Sequence, residues 1–80
     1  MAVQYRKITK LEYTVLQTVV SDTAFRIKNH DSSDSSALQV MIDGLPYGTL
    51  HKGEQAIYSG RVFCGLSLGE NCDVEYEVLS

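Results

Sequence analysis

From residue 37 to residue 68 the chain repeats one device, a short run of alternating apolar and polar residues closed by a glycine. Period-two alternation places every second side chain on one face of a strand. Leu38, Val40 and Ile42 share one parity against Gln39 and Asp43, and Val62, Cys64, Leu66 and Leu68 share one parity against Arg61, Phe63, Gly65 and Ser67. Between these runs, Asp43-Gly44, Pro46-Tyr47-Gly48, Lys52-Gly53 and Gly60 supply turn chemistry: glycine reaches positive φ without a steric cost, and proline fixes φ and lacks an N–H. The stretch reads as the middle of an antiparallel sheet.

The flanks extend the pattern. Leu11, Tyr13, Val15 and Val19 share a parity, although Leu16 and Val20 spoil the polar side, as in a strand covered twice or one that changes partner. Ser21-Asp22-Thr23 is turn chemistry, and Phe25 and Ile27 face inward in the strand that follows, with Arg26 and Lys28 outward. His30 to Ser36 contains no apolar residue and reads as a solvated loop. Gly69-Glu70-Asn71 is the right length for a three-residue hairpin, which would set Leu68 opposite Cys72, Leu66 opposite Val74 and Cys64 opposite Tyr76. The last strand alternates Cys72, Val74, Tyr76 and Val78 against Asp73, Glu75 and Glu77. The expected fold is all-β, a small antiparallel sandwich or barrel of six to seven short strands, with residues 1–10 as an N-terminal arm or edge strand and residues 11–80 as a single β domain.

Eighty residues bury a modest fraction of their surface, so a domain of this size needs a disulfide, a metal or association with other subunits. The hairpin register separates Cys64 from Cys72 by four residues, about 13 Å at the strand rise, too far for a bridge. Two free, buried thiols are expected, as in a reducing compartment. No metal or cofactor is expected: His30 and His51 are not placed to complete a two-cysteine zinc site, and Asp31 and Asp34 lack the third ligand and glycine of a calcium loop. His30, Asp31 and the serines carry the letters of a catalytic triad, but such triads are assembled from distant strand ends. No enzyme is expected. The net charge of −3, with seven Lys and Arg dispersed, gives no basic footprint for nucleic acid, and neither a membrane-length apolar run nor a signal-peptide core is visible. Association is what remains.

The residues expected to carry it are Tyr5, Arg6, Lys7 and Lys10 in the arm, the displayed Tyr47, Tyr58 on a strand of mixed faces, and the stripe of Asp73, Glu75 and Glu77. Amphipathic rings are good contact residues outside a core. A self-repelling acidic stripe either stays solvated and blocks edge aggregation or meets Arg61, Arg6, Lys7 or Lys10 from a neighbouring strand or subunit. The basic arm is expected to leave its own domain and add to a neighbour's sheet edge.

The segment VMIDGLPYGTLHKGEQAIYSGRVFCGLSL, closed by VEYEVL, resembles the strand, glycine turn, GTL, GE turn and strand rhythm of small β-sandwich accessory proteins of tailed bacteriophage virions. These include head decoration or cement proteins and neck or fibre modules; PEGA-like surface repeats share the DG-x-x-x-G-T start. The resemblance covers about half the chain and carries over no functional residue. It implies a non-enzymatic structural protein, made in the host cytoplasm, that forms homo-oligomers and binds a capsid or tail protein in the virion. The alternative class is a small binding protein that inhibits or adapts a single host protein.

Overall fold

The computed structural model describes residues 3–9, 14–18, 24–32 and 35–79, with the backbone alone for 14–18. Eight strands follow one another: β1 Val3–Thr9, β2 Thr14–Thr18, β3 Phe25–Asn29, β4 Ala37–Ile42, β5 Leu45–Leu50, β6 Gln55–Tyr58, β7 Arg61–Leu68 and β8 Asn71–Val78. They form two four-stranded sheets, the first in the order β1-β8-β3-β6 and the second β2-β7-β4-β5. Every neighbouring pair is antiparallel. The pairs β1–β8, β2–β7, β3–β6 and β4–β5 are nested, as if one long hairpin with its tip at Asp43-Gly44 had been wrapped into two layers. This wrapping is the strand order of a jelly roll, an arrangement of two Greek keys in two sheets.

Only the tip of that hairpin joins sequence neighbours within one sheet. There Asp43 has φ 53° and Gly44 φ 84°, the double positive φ of a type I′ turn, whose twist suits a two-residue hairpin. The structure has one strand more than the sequence suggested, because Pro46-Tyr47-Gly48 is not a second turn but the body of β5. β5 is an edge strand, where the missing N–H of Pro46 is tolerated. Tyr47 is the extra residue of a bulge between the pairs Met41↔Pro46 and Val40↔Gly48.

The expected β7–β8 hairpin is absent. Gly69 and Glu70 carry the chain from the second sheet to the first, so Cys64 lies beside Val40 and Thr14 while Cys72 lies beside Ile8. The thiols are free and buried all the same, on opposite layers. The described part of the arm, expected to leave the domain, is β1, which pairs with β8 through all seven of its residues and sends Ile8 into the core. In β2 the register slips between Val15 and Gln17, so the bulge at Leu16 accounts for the broken alternation read there. Leu11, Tyr13, Val19 and the turn Ser21-Asp22-Thr23 lie outside the described residues, as do Lys10 and Asp34.

The inward parities of both sheets make the core: Ile8, Phe25, Ile27, Tyr58, Cys72, Val74 and Tyr76 from the first, and Leu38, Val40, Leu50, Val62 and Cys64 from the second. Each fully buried aliphatic or aromatic side chain contributes about 1.5–3 kcal/mol. The loop after β3 is not simply solvated. Ser36 is buried and its hydroxyl donates to Asp31 Oδ2 at 2.8 Å, and the Asp31 N–H donates to Asn29 Oδ1 at 3.1 Å. Buried Asn29 in turn donates its amide to the Leu50 carbonyl at 2.9 Å and accepts from Cys72 Sγ at 3.1 Å. A short polar chain thus ties the loop to both layers, with no buried side-chain nitrogen or oxygen left without a partner among the described residues.

Candidate functional site

Because inward residues of both sheets are taken up by the core, any site must be built on the two outer faces, the strand edges or the connecting loops. The outer face of the first sheet is charged. Register places Lys7 opposite Asp73, Tyr5 opposite Glu75, Lys28 opposite Glu75 and Arg26 opposite Glu77. Arg26 forks between two carboxylates, with Nη1 2.7 Å from Glu75 Oε2 and Nη2 3.2 Å from Glu77 Oε1. It also donates through Nη1 to Gln55 Oε1 at 3.2 Å. Lys7 Nζ stands 3.8 Å from Asp73 Oδ1, with both side chains well exposed. His30 Nδ1 is 3.6 Å from Glu75 Oε1.

The hydrogen bond from Arg26 holds the Glu75 carboxyl below its ordinary range, aided by the charges of Arg26, Lys28 and His30 and opposed by partial burial. The same bond raises the Arg26 guanidinium above its ordinary value. The acidic stripe is therefore paired within its own sheet. Lys7 belongs to the basic group named from the sequence, whereas Arg26 does not, and Arg61 lies in the other sheet. Sequence pattern gave Arg26 its outward parity but not its place beside β8, since the two strands lie about fifty residues apart.

Tyr5, Arg6, Lys7, His30 and Asp73 line a shallow hollow of about 350 Å³ beside β1. The Tyr5 and His30 rings meet at 5.3 Å between centroids. The Ser36 hydroxyl donates to Asp31 and not to an imidazole. Burial pushes the Cys64 thiol up to about 12, with the nearby Cys72 adding to the shift. Cys72 is raised too, chiefly by burial and by Asp31 and Asp73, with the neighbouring Ser36 hydroxyl pulling the other way. Neither thiol ionises near neutral pH, where the thiolate is the nucleophile. Among the described residues no group of three or more His, Cys, Asp or Glu is placed to hold a metal ion, and no helix is long and apolar enough to cross a membrane.

The tyrosines named from the sequence separate. Tyr5 and Tyr47 are exposed, at 63% and 69%, but Tyr58 is a core residue at 6%. The inward parity of β6 places Tyr58 there, and the Tyr47 ring covers it edge-on at 5.5 Å, across the seam between β5 and β6. Burial raises the Tyr58 phenol, with Cys64 and Tyr47 adding to the effect.

The outer face of the second sheet differs in kind. Its cross-strand register sets Phe63, Met41 and Pro46 in one row that spans β7, β4 and β5, and the backbone of β2 meets the end of that row at position 15. Phe63 and Met41 are half-buried yet belong to no part of the core cluster, and Pro46 is exposed. Around this row stand Gln39, Thr49, Gly65 and Ser67, and the one charge among the described side chains of the face is Arg61 at its border. The sequence carries the signal, an aromatic residue on the polar parity of the Arg61-to-Leu68 run, but only register shows that two other strands bring apolar positions to the same line.

All four strand edges are blunted: β1 by Arg6 and Lys7, β2 by the bulge at Leu16, β5 by Pro46 and the bulge at Tyr47, and β6 by its four-residue length. Contact through faces is thereby favoured over strand addition. No family model, no curated protein and no solved structure matches the chain.

Proposed function

We propose that this protein is a non-enzymatic structural module that binds other protein subunits through the outer face of its second sheet. The observation that carries the reading is the contrast between the two outer faces. One carries the ion pairs of Lys7 and Arg26 with Asp73, Glu75 and Glu77 among the exposed Val3, Tyr5 and Ile57, and the other holds an apolar row with Arg61 as the one charge at its border. Charged residues are depleted and aromatic residues and Met enriched in the cores of protein interfaces, which is the composition of the second face and not of the first.

The finer reading is an accessory or decoration subunit of a virion. It is supported by the glycine-turn rhythm of residues 40–68 and, by fold-level analogy alone, by the use of jelly rolls in viral capsids. The exposed Tyr5 and Tyr47, with Lys7 and Arg6, remain secondary contact residues on the flanks.

Fractionation of the cells that make the protein tests this. The chain is expected in the large-particle fraction in stoichiometric amounts, and Phe63→Glu is expected to shift it to the soluble fraction while Ile57→Glu, on the charged face, does not. Wild-type chain held in a small soluble complex with one other protein would instead support an inhibitor or adaptor.

A further inference from the structure

We infer that the partner seated on the outer face of the second sheet is the same face of a second copy of this chain, giving a two-fold dimer of sandwiches. The inference rests on the protein-binding reading above and names its partner. Three observations converge on a second copy.

The first is area. The Cα atoms extend over 34 × 25 × 16 Å, so the broadest face spans up to about 850 Å². A stable interface of standard size buries about 800 Å² on each partner. A sheet face of this molecule meets that requirement, whereas its narrow sides, 34 by 16 Å or 25 by 16 Å, fall well short of it.

The second is charge. The chain carries a net charge of −3, so two copies repel unless their carboxylates are kept apart. Asp73, Glu75 and Glu77 project from the first sheet, on the far side of the sandwich, and the described side chains of the second face include no carboxylate within the sheet. Docking through the second sheet holds the three acidic side chains of β8 in one copy two sandwich thicknesses from those in the other.

The third is shape. A two-fold contact joins one patch to itself, so the patch must be self-complementary. A single apolar row running across the strands satisfies this with an axis through its middle: Phe63 and Met41 of each copy meet the same row of the other. The small side-chain positions Gly65, Ser67 and Thr49 all lie on one flank of the row and leave room there for aligned sheet packing at about 10 Å, with Arg61 on the opposite flank.

Sedimentation equilibrium of the full chain, from low micromolar to near-millimolar concentration, reads the result. The wild type is expected to reach twice its 8.9 kDa, and Phe63→Glu to weaken dimerisation at least about thirtyfold, as for a central interface residue. Met41→Lys provides a second variant should Phe63→Glu fail to give a β-type circular dichroism spectrum, and Ile57→Glu is expected to dimerise like the wild type. A wild type that stays monomeric throughout, or folded Phe63→Glu and Met41→Lys proteins that dimerise normally, overturns the inference. Monomeric wild type combined with loss of Phe63→Glu from the particle fraction overturns the second copy but keeps the face's protein-binding role. A dimer broken by Phe63→Glu, with the variant still retained in particles, keeps the inference and overturns that role.

Discussion

Gly69 and Gly53 both hold the left-handed φ that L side chains rarely adopt, at +93° and +81°, but they differ in what a side chain would meet. A Cβ on Gly53 enters open space, so Gly53→Ala costs little beyond the backbone strain of about 1–2 kcal/mol. A Cβ on Gly69 would lie 2.7 Å from Ser36 Cβ, 2.8 Å from the Ser35 carbonyl oxygen and 2.9 Å from Ser36 Cα. Two of those atoms are backbone, and Ser36 is already fixed by its bond to Asp31, so relief requires the loop to move. Gly69→Ala is expected to cost about 3 kcal/mol or more, adding steric displacement to strain, and urea unfolding of the two variants checks the order. Gly69 was legible as a turn residue, but not as the point where the loop ending at Ser36 presses on the β7–β8 crossing. That contact joins residues that no local pattern links. The same limit hid the burial of Ser36 and Asn29, since polar side chains enter an interior only when specific partners await them, and those partners came from Asp31, Leu50 and Cys72.

Among the elements, β3 and β8 are joined by more than their ladder, because Arg26 bonds two carboxylates at successive outward positions of β8. The sign of the pH dependence follows from Glu75. Its folded-state pKa is depressed by Arg26, so the stability it contributes is fully present above its unfolded value and is lost as pH falls through the folded one. The wild type should therefore lose melting temperature on acidification more steeply than Glu75→Gln, whose side chain keeps one acceptor but does not titrate. Equal slopes for the two proteins between neutral and acidic pH would show that the fork does not couple β3 to β8. The strands themselves were mostly readable from alternation, and so was the acidic stripe. Their pairing was not: a stripe looks unpartnered when the strand bearing its cation lies about fifty residues away. Pro46-Tyr47-Gly48 misled for a different reason, as turn residues are also what an edge strand uses to stop further pairing.

At the scale of the whole molecule, the nested order of pairs explains why local reading found the fold class and missed the topology. Alternation reports that a segment is a strand and which side is buried, but a jelly roll sends all but one of its connections across to the other sheet. The hairpin expected at Gly69 was therefore a reasonable local solution that the long-range pairs β1–β8 and β2–β7 displaced. The same wrapping gives the molecule two outer faces of different character, and the second is the one that we propose is covered by a partner. Met41 sits in the middle of that face's apolar row, and its thioether is a reporter that oxidants convert to the sulfoxide when it is reachable. Mass spectrometry of Met41 oxidation, comparing the assembled protein with the same protein diluted to monomer and with the Phe63→Glu variant, reads the claim at one atom. Slow oxidation in the assembly, and fast oxidation in both the diluted wild type and the variant, is the expected result; equal rates in all three would contradict it.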